Sequence, residues 1–472
     1  NAILDVNTAK DDYYDVVKPA IIAQGEYAQA QGDYAKEQGE AVDGRISVIE
    51  DKVDKNIGWY GIEFDETIAN SACRRIGSMD LHRQLPIQNR VKRCLLLDDG
   101  TVNYYLHDSD STNKADGSDA ILDGTDGQVM VEIPEHWRKF EKDGTKWRVK
   151  ISDYNVSGFH FVPKAYRSAY EATVERSSLK LSSVVNMDVN FRGGNNNSAN
   201  DGASNTLLGR PATAISGTNF ARYAKNRGDR WCMDVYHVKK TMDWLYYIEY
   251  ANFNSQLPFN PALTAEGFKQ GGLGNGVTDL NSSKWSAFNG YYPFIPMGYT
   301  NSLGNKTGVK PFDMPVEYDE NIFTTNIPSY RGVENPFGHI WKWADGLKIN
   351  IQADDAGGES QMFVCEDPLL FQHSNYDGYE KRGLLPRANG YISKMIMGEF
   401  GELIPKEAVG GSTTYFADYF YTSLPASGES QRGVLFGGSA NTGAYAGLAF
   451  SHSNYAFSHS NSPFGSRLCF IP

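Results

Sequence analysis

The chain has 472 residues, is 40% hydrophobic, and carries a formal net charge of -12. That length exceeds one ordinary core and predicts two or three domains, while the acidity excludes a nucleic-acid surface, which concentrates Lys and Arg to track phosphates. No apolar run approaches the ~20 residues needed to span a bilayer, so no membrane insertion is expected, and 47 Gly with 19 Pro indicate turns rather than helical bundles.

The opening "NAILDVNTAK" lacks the basic and apolar regions of a secretory signal. From residue 21 to 56 a seven-residue recurrence follows, with Ile21, Ala28, Ala35, Val42 and Ile49 in one register and Gly25, Gly32, Gly39, Ile46 and Val53 four residues on from each. Apolar residues at that spacing predict a coiled-coil helix within 1–57. Three glycines in the seam each cost about 1 kcal/mol relative to Ala, so the helix needs self-association or docking on a larger assembly. A homotrimer seamed by Ile21, Ala28, Ala35, Val42, Ile46, Ile49 and Val53 is expected.

Between 58 and 155 the pattern changes to short extended segments, "WYGIEF", "RCLLL", "TVNYYL", "GQVMVEI" and "KWRVKI", punctuated by Asp/Gly turns. They predict a small β-rich domain. Within it, Asp108, Asp110 and Asp119 stand at positions one, three and twelve of a calcium loop. However, Asn113 and Asp119 occupy the places of the Gly and Glu that such a loop requires, so surface turns are the better reading.

From 156 onward, "TNFARYAKNRG" and "DVYHVKKTMDWLYYIEYANFNSQ" have helical apolar spacing. In the second, Val235, Val238, Met242, Leu245 and Ile248 form a stripe expected to face a core. Long Gly/Asn-rich connections between short strands follow. The fold class predicted is therefore α+β. Cys73, Cys94, Cys232, Cys365 and Cys469 are odd in number and widely spaced, which predicts buried free thiols rather than a zinc or disulfide framework.

"NPFGHIWKWADG" (335–346), "RGVLFGGS" (432–439) and "FGSRLCF" (464–470) resemble signatures of the formylglycine-generating-enzyme-like C-type lectin folds, with Lys342 where the pattern has Glu and Ser466 where it has Phe. The resemblance implies a C-type-lectin-like domain over 156–472. "AQGDYAKEQG", "GQVMVEIPEHWRKF", "YEATVERSSLKLSSVVN", "RGGNNN" and "LLGRPAT", in that order, resemble tail-fibre or receptor-binding proteins of phages infecting gut bacteria, some of them targets of diversity-generating retroelements. That likeness implies a virion protein, outside the cell, partnered by other tail proteins and by a bacterial surface receptor, either glycan or outer-membrane protein.

Trp341 and Trp343, two apart in a strand, share a face and are expected in the core. Arg467 is expected to anchor the final strand through a buried pair, with Glu334 and Asp345 as candidate partners. The catalytic members of the lectin-like superfamily place paired cysteines just ahead of the closing motif. The corresponding stretch here, 449–464, has none, and Cys469 follows the motif, so oxidase chemistry is not expected. No GxSxG, HExxH or Walker pattern is present, and "GGLGNG" (271–276) lacks the Lys of a phosphate cradle. A polysaccharide depolymerase needs two carboxylates in a groove; Asp354, Asp355 and Glu359 are nominal candidates. A structural collar or fibre role without receptor contact is the third reading.

The tract "GSANTGAYAGLAFSHSNYAFSHSNSPF" (438–464) doubles the hexad Ala-Phe-Ser-His-Ser-Asn. Its Tyr, Phe, His, Ser, Asn and Gly content matches that of a paratope, in which rigid rings supply area and small polar groups supply adaptable hydrogen bonds. An odd offset puts His452 and His459 on opposite faces of a continuous strand, so they converge only across a turn, and no third metal ligand accompanies them. Ligand contacts are assigned to Asn441, Thr442, Tyr445, His452, Asn454, Tyr455, His459 and Asn461, and framework roles to Gly437, Gly438, Gly465 and Arg467. The retroelement resemblance implies that the tract is hypervariable, since adenine rewriting of Asn codons yields this set of residues. No cofactor is required by this reading.

Overall fold

A computed structural model describes residues 58–315 and 323–472. The expected seam from Ile21 to Val53 lies outside these residues, and no coiled-coil helix occurs among them. Their four helices are short: α1 (Met79–Gln84), α2 (Gly217–Lys225), α3 (Tyr236–Tyr250) and α4 (Ser282–Asn289). Strands and bridges take 35% of the described residues. The expected α+β class with a coiled-coil helix is thus corrected to a β-rich, multi-sheet fold. Some of the connections that broke up the sequence pattern, such as 353–359 and 398–401, are turns between paired antiparallel strands.

The five extended segments expected between 58 and 155 form as strands Tyr60–Asp65, Lys92–Leu96, Val102–His107, Gln128–Ile133 and Lys146–Ser152. In the last, Trp147, Val149 and Ile151 point inward, as period-two alternation requires. The outward Arg148 and Lys150 pair with Glu63 at 2.8 Å and Glu141 at 2.6 Å. Two of these strands join a five-stranded sheet with Arg74–Gly77, His136–Asp143 and His160–Val162.

The other three belong to a seven-stranded sheet ordered Trp231–Met233, Leu468–Phe470, Ala165–Ser168, Gln128–Ile133, Lys92–Leu96, Val102–His107 and Asp110–Lys114. Strands from both sides of residue 155 therefore share one sheet, and residues from Tyr60 to Ile471 contribute to one apolar core. A third large sheet, built around the long strand Trp341–Gln352, carries Glu380–Leu384 and Ser360–Val364 on one side. On the other it carries Glu429–Phe436, Ser451–His452, Tyr419–Tyr421 and Gly390–Tyr391.

Helix α3 lies against this sheet, and the apolar stripe read from sequence faces core. The rest of the helix is buried as well, apart from the half-buried His237. Its charged residues are consequently paired: Lys239 with Asp243 at 2.5 Å, Lys240 with Glu402 at 3.0 Å, and Glu249 with Arg331 at 2.7 Å. Helix α2 starts at Ser216, whose side chain accepts from the Asn219 amide, and it buries Phe220 and Ala224, one turn apart. All five cysteines are free thiols, four buried and Cys73 half-buried.

Candidate binding surface

Cross-strand register decides which side chains share a face. Trp343 is opposite Leu435, Leu435 opposite His452, His452 opposite Tyr421, and Tyr391 opposite Tyr419. Partners point the same way and residues two apart on a strand do too, so Trp341, Trp343, Leu435, His452, Tyr421, Tyr419 and Tyr391 all project from one face of the sheet. The intervening Lys342, Phe436, Ser451 and Phe420 project from the other. That second face meets α3, where Phe436 stacks on Tyr236 at 6.0 Å and lies under the Lys239 ammonium at 4.4 Å.

At the Trp343 end the first face is roofed by Phe457, 5.6 Å from the Trp343 ring. Both tryptophans are buried, as expected, Trp343 fully. Toward Tyr391 the roof ends and the rings become half-buried. The strand at 451–452 is only two residues long, after which the chain turns. Tyr455 is thereby inserted between the two histidines, parallel to His452 at 5.1 Å and to His459 at 4.2 Å. The histidines do converge across a turn, but around a tyrosine ring rather than a metal.

The short helical turn Gly443–Tyr445 sets Tyr445 on Tyr419 at 4.3 Å, within 5.5 Å of Tyr391 and 6.1 Å of Tyr421. Tyr421 contacts His452 at 5.4 Å. Seven rings, Tyr391, Tyr419, Tyr445, Tyr421, His452, Tyr455 and His459, thus form one continuous strip.

Four of the eight expected contact residues, Tyr445, His452, Tyr455 and His459, lie in this strip. Asn454 sits beside it, its amide directed at His452 Nδ1. Asn441 and Thr442 instead serve the neighbouring loop: Asn441 donates to Ser282 Oγ at 2.7 Å and Thr442 Oγ1 donates to the Ser439 carbonyl at 2.8 Å. Asn461 is exposed beyond His459, and its carbonyl accepts from the Ala214 amide. Tyr391, Tyr419 and Tyr421 were missed by sequence reasoning. The alternation in "DYFYTS", with Phe420 buried between two outward tyrosines, was the available signal.

The framework assignments have direct physical causes. Gly438 has φ +83°, and an added Cβ would lie 2.6 Å from Thr442 Oγ1. At Gly465 an added Cβ would meet Ile340 at 2.6 Å. Gly437 accepts from the Gly338 amide, tying the tract to the 335–340 turn.

Arg467 is fully buried but does not pair with a carboxylate. It donates to the carbonyls of Ser168 at 3.2 Å, Asn335 at 2.7 Å, and Glu334. The Glu334 carboxylate instead accepts from the Gly298 and Thr300 amides, and Asp345 faces His373 at 3.2 Å. Arginine's fork suits this role because it carries several donors in one plane. Lys342, where the family pattern has Glu, is buried against Glu171 at 2.8 Å. Glu171 also accepts from His339 Nδ1 at 2.5 Å, while His339 Nε2 accepts the Phe294 and Ile295 amides. The adjacent cations hold the Glu171 carboxyl down at about 2 against its burial.

The strip is electrically quiet. Burial lowers His452 to about 4, so it is neutral at physiological pH. Burial and neighbouring rings raise Tyr421 and Tyr391, so both hydroxyls keep their protons. Beneath the strip, Asp418 accepts the Ala449 amide at 2.7 Å, and burial pushes its carboxyl well above the usual range.

The nominal catalytic carboxylates serve hairpins instead: Asp354 pairs with Arg387 at 2.7 Å, Asp355 accepts the Gly428 amide, and Glu359 accepts from Gln361. Of the nominal calcium ligands, Asp108 accepts from Asn305, Asp110 closes a turn onto Thr112, and Asp119 is exposed. Among the described residues no group of three or more His, Cys, Asp and Glu is placed to hold a metal ion. A polar cleft of about 490 Å³ lies elsewhere, between Asp98, Lys180, Arg227 and Phe191.

No family model matches the chain, and no curated protein matches it. Among solved structures it is similar to PvdO from Pseudomonas aeruginosa, at 10% identity and a TM-score of 0.29 over 75% of this chain and 98% of that one. It is also similar to the Major Tropism Determinant U1 variant, at 12% identity and a TM-score of 0.21 over 87% of this chain and 85% of that one. Likenesses this slight carry no argument about fold or function.

Proposed function

We propose that this chain is a receptor-binding component of a phage tail, and that it recognises the bacterial surface through the aromatic strip. One observation carries the binding role: rings from three separate segments, 390–391, 419–421 and 445–459, meet on a single sheet face with their outer portions open. A fold gains nothing in burial by leaving seven contiguous rings half-covered, whereas a recognition surface needs rigid area whose ordering cost is already met. The tail setting rests on the ordered motif likeness, from "GQVMVEIPEHWRKF" to "LLGRPAT". No observation on the strip favours catalysis, since its residues include no carboxylate.

The test is adsorption of the full chain to a panel of gut-bacterial cells. Replacing Tyr419, Tyr445 and His459 together with Ala removes exposed ring area but little core, so binding is expected to fall at least about tenfold with the circular dichroism spectrum retained. Unchanged adsorption by the folded triple variant refutes the reading and leaves a fibre role without receptor contact.

A further inference from the structure

We infer that the strip takes an uncharged glycan, stacking sugar rings on Tyr419, Tyr421 and Tyr445 and bonding their hydroxyls through these phenols and that of Tyr455, whose ring faces are already covered by the two histidines. This inference rests on the receptor-binding reading and names the class of receptor.

Three observations converge on it. Neighbouring rings among Tyr391, Tyr419, Tyr421 and Tyr445 lie 4.3 to 6.1 Å apart and each keeps part of its surface open, so together they form one aromatic platform on which a sugar can rest. The hydroxyls of Tyr419, Tyr445 and Tyr455 take no hydrogen-bond partner among the described residues, which leaves them to a polyhydroxylated ligand. Five tyrosines and two histidines also offer no carboxylate, ammonium or guanidinium.

The charged groups closest beneath are already committed. Lys239 is held by Asp243 at 2.5 Å and the Leu448 carbonyl at 2.6 Å, and Asp418 is buried under the Ala449 amide. Near the Gly443 end, Asp279 accepts from Asn275. Among the described residues no Lys or Arg belongs to the strip, so an acidic polysaccharide would find no fixed cation in it. A protein receptor is disfavoured for a related reason, because protein interfaces steer encounter and fix register with complementary charge, and no Lys, Arg, Asp or Glu belongs to the strip.

The probe is an array of immobilised bacterial surface glycans, neutral members beside uronate- and phosphate-bearing ones, read with the full chain. Neutral glycans are expected to bind, with affinity changing less than about twofold between about 50 mM and about 500 mM NaCl because no ion pair is screened. Tyr421→Phe is expected to weaken that binding several-fold while leaving thermal stability unchanged, since it deletes a hydroxyl and no ring.

Retention confined to acidic glycans, or a tenfold loss with salt, overturns the inference. So does whole-cell adsorption that survives periodate oxidation of cell-surface sugars but not protease treatment. In that last case the Tyr419, Tyr445 and His459 variant still loses adsorption, and the receptor-binding reading stands without the glycan. Loss of the receptor-binding reading itself is recognised separately, by unchanged adsorption of that variant.

Discussion

Glu171→Gln removes the one anion facing Lys342 and His339, all three side chains being buried. Breaking a buried pair from one side leaves an uncompensated charge and costs about 3–5 kcal/mol. An independent ceiling comes from the lysine, since deprotonating a group of ordinary pKa near 10.4 at pH 7 costs about 4.6 kcal/mol. The Gln carbonyl still accepts one hydrogen bond, which places the expected loss near the lower end, about 3 kcal/mol.

The cost falls locally first. Lys342 also donates to the Gly338 carbonyl at 2.7 Å, and the Gly338 amide donates to Gly437, so the turn that loosens is the one carrying the 437–445 loop. Urea unfolding followed by tryptophan fluorescence measures the loss, and glycan or cell binding by the folded variant reads the displaced Tyr445. Glu171→Gln with Lys342→Met removes both charges and is expected to recover at least about half the loss, because well-packed apolar replacement of a buried pair is close to neutral. A single variant within about 1 kcal/mol of the parent, or a double variant no better than the single, refutes the reasoning.

Two further outcomes follow from buried groups. Arg467→Lys keeps the charge but cannot span carbonyls on two segments, so a loss of about 2–4 kcal/mol is expected, with faster amide exchange at 468–470; unchanged exchange there counts against the anchoring role. Burial lowers His82 to about 3, and His136, His237 and His452 to about 4. The unfolded chain therefore binds more protons below the ordinary value of about 6.5, and stability is full above that pH and falls as pH drops toward 4. The melting temperature should decline steadily from about pH 6.5 to about pH 4.5, and a flat profile there would show that these rings are not buried neutral.

Much of this was legible in local pattern. Alternation in "KWRVKI" and the 3.6-residue spacing in α2 and α3 depend only on near neighbours, and the structure starts those elements within two residues of the reading, although both helices end earlier, at Lys225 and Tyr250. The composition of the doubled "AFSHSN" tract marked it as ring-rich, and its Tyr445, His452, Tyr455 and His459 do join one strip. What was not legible is pairing. Tyr419 and Tyr421 belong to the strip only because their strand lies parallel to Ser451–His452, some thirty residues later, and no spacing rule reports that.

The partners of Arg467 were missed for a different reason. Side-chain carboxylates are visible in a sequence, whereas the carbonyls of Ser168, Glu334 and Asn335 become acceptors only once the backbone is placed. The α+β expectation failed because two real helices were weighed against strands too short to show periodicity.

Strand Leu468–Phe470 has neighbours on both sides, Ala165–Ser168 and Trp231–Met233, and Arg467 reaches a carbonyl 299 residues earlier. During synthesis, the first of those strands leaves the ribosome with one edge open and waits for roughly three hundred more residues before that edge is covered. Contacts of such sequence separation close late. The aromatic tract immediately precedes that strand, so the sheet and the strip are completed together, and a chain cut short before residue 464 is left with an unpaired strand edge that can template aggregation.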